Sequence, residues 1–300
     1  MNPEVIGLIG IIVFLFLIAL KVPISFAMLI SGFFGFGTII SFPAAISLLP
    51  TEIYSTFSSY SLSVIPMFIW MGFIAYYSGI GAGLFRFANK MVGHKPGGLA
   101  IATQAACALF GAICGSNTAT AATMGAIALP EMRKYGYNDS LSSASIAAGG
   151  ALGVIIPPSV IFIVYGISTQ QSIGKLFIAG IIPGILLMLL YMLAIYIVVK
   201  RRPSFGPVSM KFGWKERVQS LGDGLFEVLF IFIFSLGGLF AGWFTPTEAG
   251  AIGTASILLV TVLRKHLNLE KLRKSLMDTV RTTAMIMLMV AGAMVFGRFI

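Results

Sequence analysis

Long apolar segments, separated by short polar or basic breaks, fill most of the chain. Most of them approach or exceed the roughly 20 residues that a helix needs to cross a hydrocarbon core. The pattern therefore predicts a bundle of membrane-spanning helices. The predicted segments are residues 5–20, 23–49, 61–80, 97–114 with 117–130, 140–165, 176–199, 222–244, 247–263 and 279–297.

Composition strengthens this prediction and excludes other classes. Apolar residues make up 58% of the chain and charged residues 10%, whereas soluble domains carry about 25% charged residues. The net charge of +10 is spread over short clusters between apolar segments, as in cytoplasmic loops of membrane proteins, so we expect no nucleic-acid binding. The sequence contains neither a nucleotide-binding loop nor an enzyme-like or metal-ligand cluster. We therefore predict an all-α polytopic membrane protein that is not an enzyme and needs no cofactor.

The most informative break is the polar stretch from Gly115 to Thr118, inside the apolar segment 97–130. Basic residues lie on both sides of that segment, at Arg86, Lys90, Lys95, Arg133 and Lys134. A single crossing would place these clusters on opposite faces of the membrane. A re-entrant hairpin over 97–131, with its tip at this stretch, places both in the cytoplasm. All Lys and Arg except Lys175 and Arg298 then become cytoplasmic, and the N-terminus periplasmic.

A second break contains Pro157 and Pro158 in the middle of the segment 140–165. Proline lacks a backbone N–H, so carbonyls near Gly153 and Ile155 should lose their helical partners. Freed carbonyls are suitable ligands for a hard cation such as Na⁺. The alternative interpretation is an ordinary proline kink. At the first break the alternative is helix–helix contact through small polar residues, which we favour for Thr120 and Thr123.

The order of segments predicts an inverted repeat. Three spans within residues 1–80, forming scaffold and arm, precede the hairpin, and three spans within 222–300 begin a second repeat with the opposite orientation. Residues 140–199 form a broken span and the next span of a transport domain, and residues 200–217 a basic cytoplasmic connection. By comparison with the first half, about 100 residues including a second hairpin should follow. We therefore expect the chain to be a fragment.

An acidic residue, Glu248, lies at the start of the segment 247–263. An intramembrane acid is a candidate functional residue. However, Thr245, Pro246 and Glu248 also have the spacing of a capping box. Thr247 and Glu248 therefore have two interpretations, one in ion coupling and one as a helix cap.

Four segments in order resemble a known family. They are residues 111–120 (GAICGSNTAT), 129–137 (LPEMRKYGY), 153–159 (GVIIPPS) and 245–250 (TPTEAG). Together they are similar to the large transmembrane subunit of tripartite ATP-independent periplasmic (TRAP) transporters. The resemblance implies an elevator-type Na⁺ symporter in the bacterial inner membrane. It also implies a small four-helix membrane subunit and a periplasmic binding protein that delivers an organic acid such as a C4-dicarboxylate or sialic acid.

The hairpin domain would then move against a scaffold that includes residues 5–49 and 222–263. We expect Na⁺ to be bound by Gly115, Ser116, Asn117, Gly153, Ile155 and Pro157. Thr118 and Ser159 are the predicted substrate contacts.

The tip sequence Gly-Ser-Asn-Thr departs from the Ser-Gly-Ser that is frequent in TRAP subunits. It is also similar to the tip of divalent anion/Na⁺ symporters, which work without a binding protein. That symporter group is therefore one alternative function. A non-transporting membrane scaffold is the other.

Overall fold

The computed structural model describes residues 3–222 and 224–300. Within these ranges every regular element is helical. Met1 and Asn2 lie outside them, so the periplasmic N-terminus stays a prediction of the charge pattern. The α-helices are α1 Pro3–Ala19, α2 Ile24–Ile39, α3 Phe42–Phe57, α4 Val64–Ser78, α5 Ile80–Val92, α6 Gly98–Cys114, α7 Asn117–Lys134, α8 Asp139–Ile155, α9 Val160–Ser168, α10 Ile173–Arg201, α11 Trp214–Gln219, α12 Leu225–Phe232, α13 Gly238–Phe240, α14 Pro246–Leu263 and α15 Leu269–Phe299.

Short helical turns of other types join several of these helices. The 3₁₀ turns are Tyr60–Ser63, Pro203–Phe205 and Ser220–Gly222, and a π-helical turn covers Ile233–Gly237. Among the described residues, four continuous helices are long and apolar enough to cross a membrane: Tyr60–Ser78, Ile173–Arg201, Pro246–Leu263 and Leu269–Phe299. Two bent pairs raise the number to six if each pair is one span. The chain is therefore an all-α polytopic membrane protein, as predicted.

The prediction of one continuous span over residues 23–49 is wrong. The apolar segment 23–49 consists of two helices, α2 and α3, separated at Ile40 and Ser41. The Ser41 hydroxyl caps α3 by accepting from the Ala44 N–H at 3.3 Å, and Pro43 stands in the first turn. A capping serine followed closely by proline starts a new helix even where hydrophobicity continues.

The last helix is longer than its apolar core predicted. α15 begins at Leu269, so Lys271, Arg273 and Lys274 lie on its first turns rather than in a loop. The Asn268 side chain accepts from the Lys271 N–H at 2.8 Å and caps this end, and Lys274 pairs with Glu270 one turn away. A prediction from hydropathy alone starts the helix after these charged residues. The cap and the i,i+4 pair instead allow the helix to begin before them.

The chain forms two compact units. The first contains residues 3–63 and 280–300, and the second contains residues 64–279 apart from Asp223. Helices α4 to α14 therefore belong to one unit, including the segments that the sequence assigned partly to the scaffold. The assignment of scaffold and transport segments concerns motion, and it stays a prediction.

In the first unit, small residues let α1 and α2 approach the end of α15. The Phe299 ring lies between Gly10 and Gly35, where a methyl group added to either glycine would overlap it. Gly32 faces the backbone of Phe296, whose nitrogen would lie 2.9 Å from such a methyl group. Close packing of this kind through glycine is typical of helices in membranes.

Within the second unit, α6 is the central helix. It packs against α4, α5, α7, α8 and α10. Most of its side chains are buried, including Gln104 and Thr103. This central position places the end of α6, and the break that follows it, deep inside the unit.

We predict that Gly10→Ala lowers the thermal stability of the purified protein and that Gly7→Ala does not. The new methyl group at Gly10 meets a ring that is already held on its other side, and overpacking of this kind costs about 1–3 kcal/mol. Gly7 stands on the same helix with open space around it. Melting temperatures of both variants in the same detergent measure the difference, and equal values would contradict the packing described for Phe299.

Candidate functional site

The first break is a tight turn between two helices. α6 ends at Cys114 and is capped by Gly115, whose φ of 62° and ψ of 15° are left-handed, a conformation that glycine adopts without strain. α7 follows at once, with the Ser116 hydroxyl accepting from the Ala119 N–H at 3.4 Å as its N-cap. The two helices pack against each other. Gly115 and Ser116 therefore form the tip of a helical hairpin.

The second break separates α8 from α9 and bends the chain by 40°. Pro157 and Pro158 stand four residues after Gly153 and Val154, and they offer these carbonyls no N–H donor. Ser159 then starts α9, and its hydroxyl accepts from the Phe162 N–H at 3.4 Å. The break thus leaves backbone oxygens outside the helical ladder.

The hairpin tip and the proline break are in direct contact. A methyl group added at Gly115 would lie 2.6 Å from the carbonyl oxygen of Pro158. One added at Gly153 would overlap the Thr120 hydroxyl and lie 2.8 Å from the carbonyl oxygen of Ser116. We call this contact between the hairpin tip and the proline break the junction. The close approach of the two backbones requires glycine on both sides of it.

Further glycines extend this contact along α8. A methyl group at Gly150 would lie 2.7 Å from Oδ1 of Asn117, and one at Gly111 on α6 would lie 2.7 Å from the Cα atom of Gly153. The resulting seam holds α8 against both arms of the hairpin. It also places the Asn117 amide over the α8 backbone, one turn before the break.

The predicted site residues separate into two groups. Gly115, Ser116 and Asn117 lie together with Gly153 at the junction, and the hydroxyls of Ser116 and Thr118 are 3.3 Å apart. Asn117 and Thr118 are exposed, and Ser116 is half-buried. The hydroxyls of Ser116 and Thr118 therefore lie side by side at the tip, and the Asn117 side-chain oxygen lies against α8 at Gly150.

The other predicted residues are arranged differently. A methyl group at Gly180 on α10 would lie 2.8 Å from the Ile155 carbonyl oxygen, so this oxygen approaches α10 as well as the break. Pro157 is buried, and Ser159 is fully buried with its hydroxyl engaged as a helix cap. Thr118 and Ser159 therefore do not share one exposed surface.

The family model for the tripartite ATP-independent periplasmic transporter, DctM component, matches residues 11–300. The chain belongs to this family. It is 38% identical over 270 residues to the C4-dicarboxylate TRAP transporter large permease protein DctM of Pseudomonas aeruginosa, covering 89% of this chain and 62% of that protein.

Two further relatives carry different substrate names. The sialic acid TRAP transporter large permease protein SiaM of Vibrio cholerae is 36% identical over 241 residues, which are 80% of this chain and 56% of that protein. The ectoine TRAP transporter large permease protein TeaC of Halomonas elongata is 36% identical over 273 residues, which are 91% of this chain and 62% of that protein. The chain thus spans less than two thirds of the length of each of these three relatives.

The capping box of the TRAP subunit is present at the start of α14. The Glu248 carboxylate accepts from the N–H and hydroxyl of Thr245 at 2.8 and 2.9 Å, and the Glu248 N–H donates to the Thr245 hydroxyl at 3.3 Å. Glu248 is exposed and Thr247 is half-buried. These contacts give Glu248 a structural role, and a coupling role for Thr247 and Glu248 stays a prediction.

Two buried polar side chains near the hairpin are not among the predicted site residues: Thr120 lies at the junction, and Gln104 lies further along the contact between α6 and α8. Among the described residues, neither the Thr120 hydroxyl nor Oε1 of Gln104 has a hydrogen-bond partner, although the weakly accepting Cys114 thiol lies beside Thr120. Nε2 of Gln104 donates to the Ser145 carbonyl at 2.7 Å. Ser116, Thr120 and Thr123 follow each other at helical spacing, which is the pattern that marks this face of α7.

We predict that Gly153→Ala separates the hairpin tip from α8, whereas Gly125→Ala does not. The first variant introduces a methyl group against Thr120 and Ser116, with an expected cost of about 1–3 kcal/mol. The second adds one at the same α7–α8 interface, 3.8 Å from the Ile146 side chain, which is ordinary contact. Thermal unfolding of the two purified variants tests this, and a Gly153→Ala protein as stable as wild type would show that the junction is not closely packed.

Proposed function

We propose that this TRAP subunit carries an organic acid across the bacterial inner membrane in symport with Na⁺. Family membership supports the transport role. The substrates named for the three relatives are a C4-dicarboxylate, sialic acid and ectoine, and each of these compounds contains a carboxylate. A carboxylated solute is therefore the substrate class that we propose, with C4-dicarboxylates and sialic acid as first candidates.

The contact between the hairpin tip and the proline break is the observation that carries the proposal. It gathers the carbonyl oxygens of Ser116 and Pro158 and places the Asn117 amide near them. Broken helices whose unwound carbonyls hold Na⁺ are a recurring feature of secondary transporters. A structural kink alone would not need a second, glycine-lined break pressed against it.

The directions of the helices at this junction suit both an ion and an anion. α6 and α8 end there, and the negative ends of their dipoles favour a cation. α7 and α9 begin there, and the positive end of a helix favours a carboxylate. Because Thr118 is exposed in the first turn of α7 whereas Ser159 is buried, we assign the substrate carboxylate to the α7 end. Ion and substrate would then bind within one turn of each other.

The partners follow from the family. A tripartite periplasmic system implies a periplasmic binding protein and a small membrane subunit in addition to this subunit. We propose both as partners. We also propose a multi-pass arrangement with the basic loops in the cytoplasm.

Uptake measurements test the proposal and its alternatives. Proteoliposomes containing the full-length subunit and its small partner would be supplied with radiolabelled succinate or sialic acid, with and without a Na⁺ gradient and the binding protein. Uptake that needs both supports the proposal. Uptake with Na⁺ but no binding protein would indicate a divalent anion symporter, and no uptake of any carboxylate would support a scaffold role.

In the same assay, we predict that Asn117→Ala raises the Na⁺ concentration for half-maximal uptake about 10-fold, because a lost polar ligand costs about 1–2 kcal/mol. Asn268→Ala is the matched control, since this residue caps α15 and lies outside the junction. It should leave the Na⁺ dependence unchanged. An unaltered Na⁺ dependence of Asn117→Ala would contradict the assignment of this residue to the ion site.

A further inference from the structure

A second feature of the molecule lies at the base of the hairpin, outside the membrane-spanning helices. The loop between α5 and α6 is hydrogen-bonded to the segment that follows α10. Gly97 N–H donates to the Gly206 carbonyl at 2.8 Å, and Ser209 N–H donates to the Gly93 carbonyl at 3.1 Å. These bonds fix two basic segments of the chain side by side.

Four basic side chains come together at this contact. Nη2 of Arg217 lies 3.3 Å from Nδ1 of His94. Partial desolvation of the imidazole and the charges of Arg217, Lys95 and Lys211 all lower the pKa of His94 below its ordinary value. The imidazole is therefore neutral at physiological pH, and its Nδ1 accepts from the Arg217 guanidinium.

Among the described residues, this cluster has no carboxylate partner. Within residues 3–222 and 224–300, no carboxylate lies within ion-pair distance of Lys95, Lys211 or Arg217. The adjacent Glu216 is directed to its own helix, where it accepts from the Gly213 N–H at 3.0 Å. Nε of Arg217 is buried without an acceptor in this part of the chain. Burying such a donor is costly unless a ligand pairs with it.

We propose that His94, Lys95, Lys211 and Arg217 form a binding site for a phosphate group. Phosphate oxygens match the forked donors of a guanidinium, and the two lysines supply additional positive charge. His94 holds the Arg217 side chain in a fixed direction. A phosphate oxygen would then supply the acceptor that Nε of Arg217 lacks among the described residues.

The surroundings favour the headgroup phosphate of an anionic lipid. Val208, Met210 and Trp214 are exposed on the same segment, Trp214 by 74%. Exposed tryptophan beside lysine is typical of the membrane–water interface. Basic clusters at this surface attract anionic lipids, by about 5-fold in affinity for each cation.

Ordinary topological charge is the competing explanation. Lys200 and Lys215 are exposed and have the predicted cytoplasmic position. If charge alone matters, removing these two charges should act like removing two from the cluster. A double variant at Lys200 and Lys215 is therefore a matched control, because it changes the net charge by the same amount.

The test is native mass spectrometry of the delipidated full-length complex, titrated with phosphatidylglycerol or phosphatidylcholine. The Lys211→Gln/Arg217→Gln variant should weaken the first phosphatidylglycerol-binding event about 20-fold. The Lys200→Gln/Lys215→Gln variant should weaken it far less. A melting temperature close to wild type establishes that each variant is folded.

Inorganic phosphate distinguishes the two sources of the ligand. Competition at millimolar phosphate would support a site for free phosphate, and retained lipid selectivity without competition would support the headgroup. Equal weakening by both double variants, or no preference for phosphatidylglycerol over phosphatidylcholine, would overturn the proposal.

Discussion

Backbone groups that leave a helix inside a membrane have no water to pair with, and this constraint governs the second unit. Two of its breaks lie at Gly115–Ser116 and at Ile156–Ser159. Each break has its own hydroxyl cap, from Ser116 and Ser159, and the two are pressed together through Gly115 and Gly153. The central helix α6, the glycine seam of α8 and the close approach of α10 through Gly180 all serve this contact.

The same hairpin is also fixed at its other end. The buried Tyr137 hydroxyl accepts from the Leu99 N–H at 3.1 Å, and burial raises the pKa of this tyrosine to about 12, so the contact stays neutral. The Asn138 N–H donates to the Phe205 carbonyl at 3.1 Å, beside the bond from Gly97 to Gly206. Both arms of the hairpin are therefore tied to the segment after α10. Under the proposed function, a displacement of the hairpin would carry α8 and α10 with it.

The breaks can be predicted from the sequence, but their full geometry cannot. Gly115, Ser116 and the two prolines are visible because polar and helix-breaking residues are rare in apolar segments. The division of 23–49 and the start of α15 depend on local caps, which hydropathy does not detect. Thr120, Gln104 and the direction of the Ile155 carbonyl depend on which helices become neighbours. Tertiary packing of α6, α8 and α10 determines which helices are neighbours. In a single sequence this packing is visible only as a weak periodicity of small and polar residues.

The junction is also notable because residues 97–130 and 140–165 contain no charged side chain. A carboxylate at this depth would be costly and would hold Na⁺ whether or not substrate were present. Carbonyl and amide dipoles bind a cation more weakly, so the site is not already saturated and a nearby anion can raise its occupancy. Under the proposed function, Na⁺ at the ends of α6 and α8 would strengthen binding of a carboxylate at the start of α7. Thermodynamic reciprocity then requires the carboxylate to strengthen Na⁺ binding by the same factor. An uncharged site can therefore couple the two ligands directly, through their opposite charges.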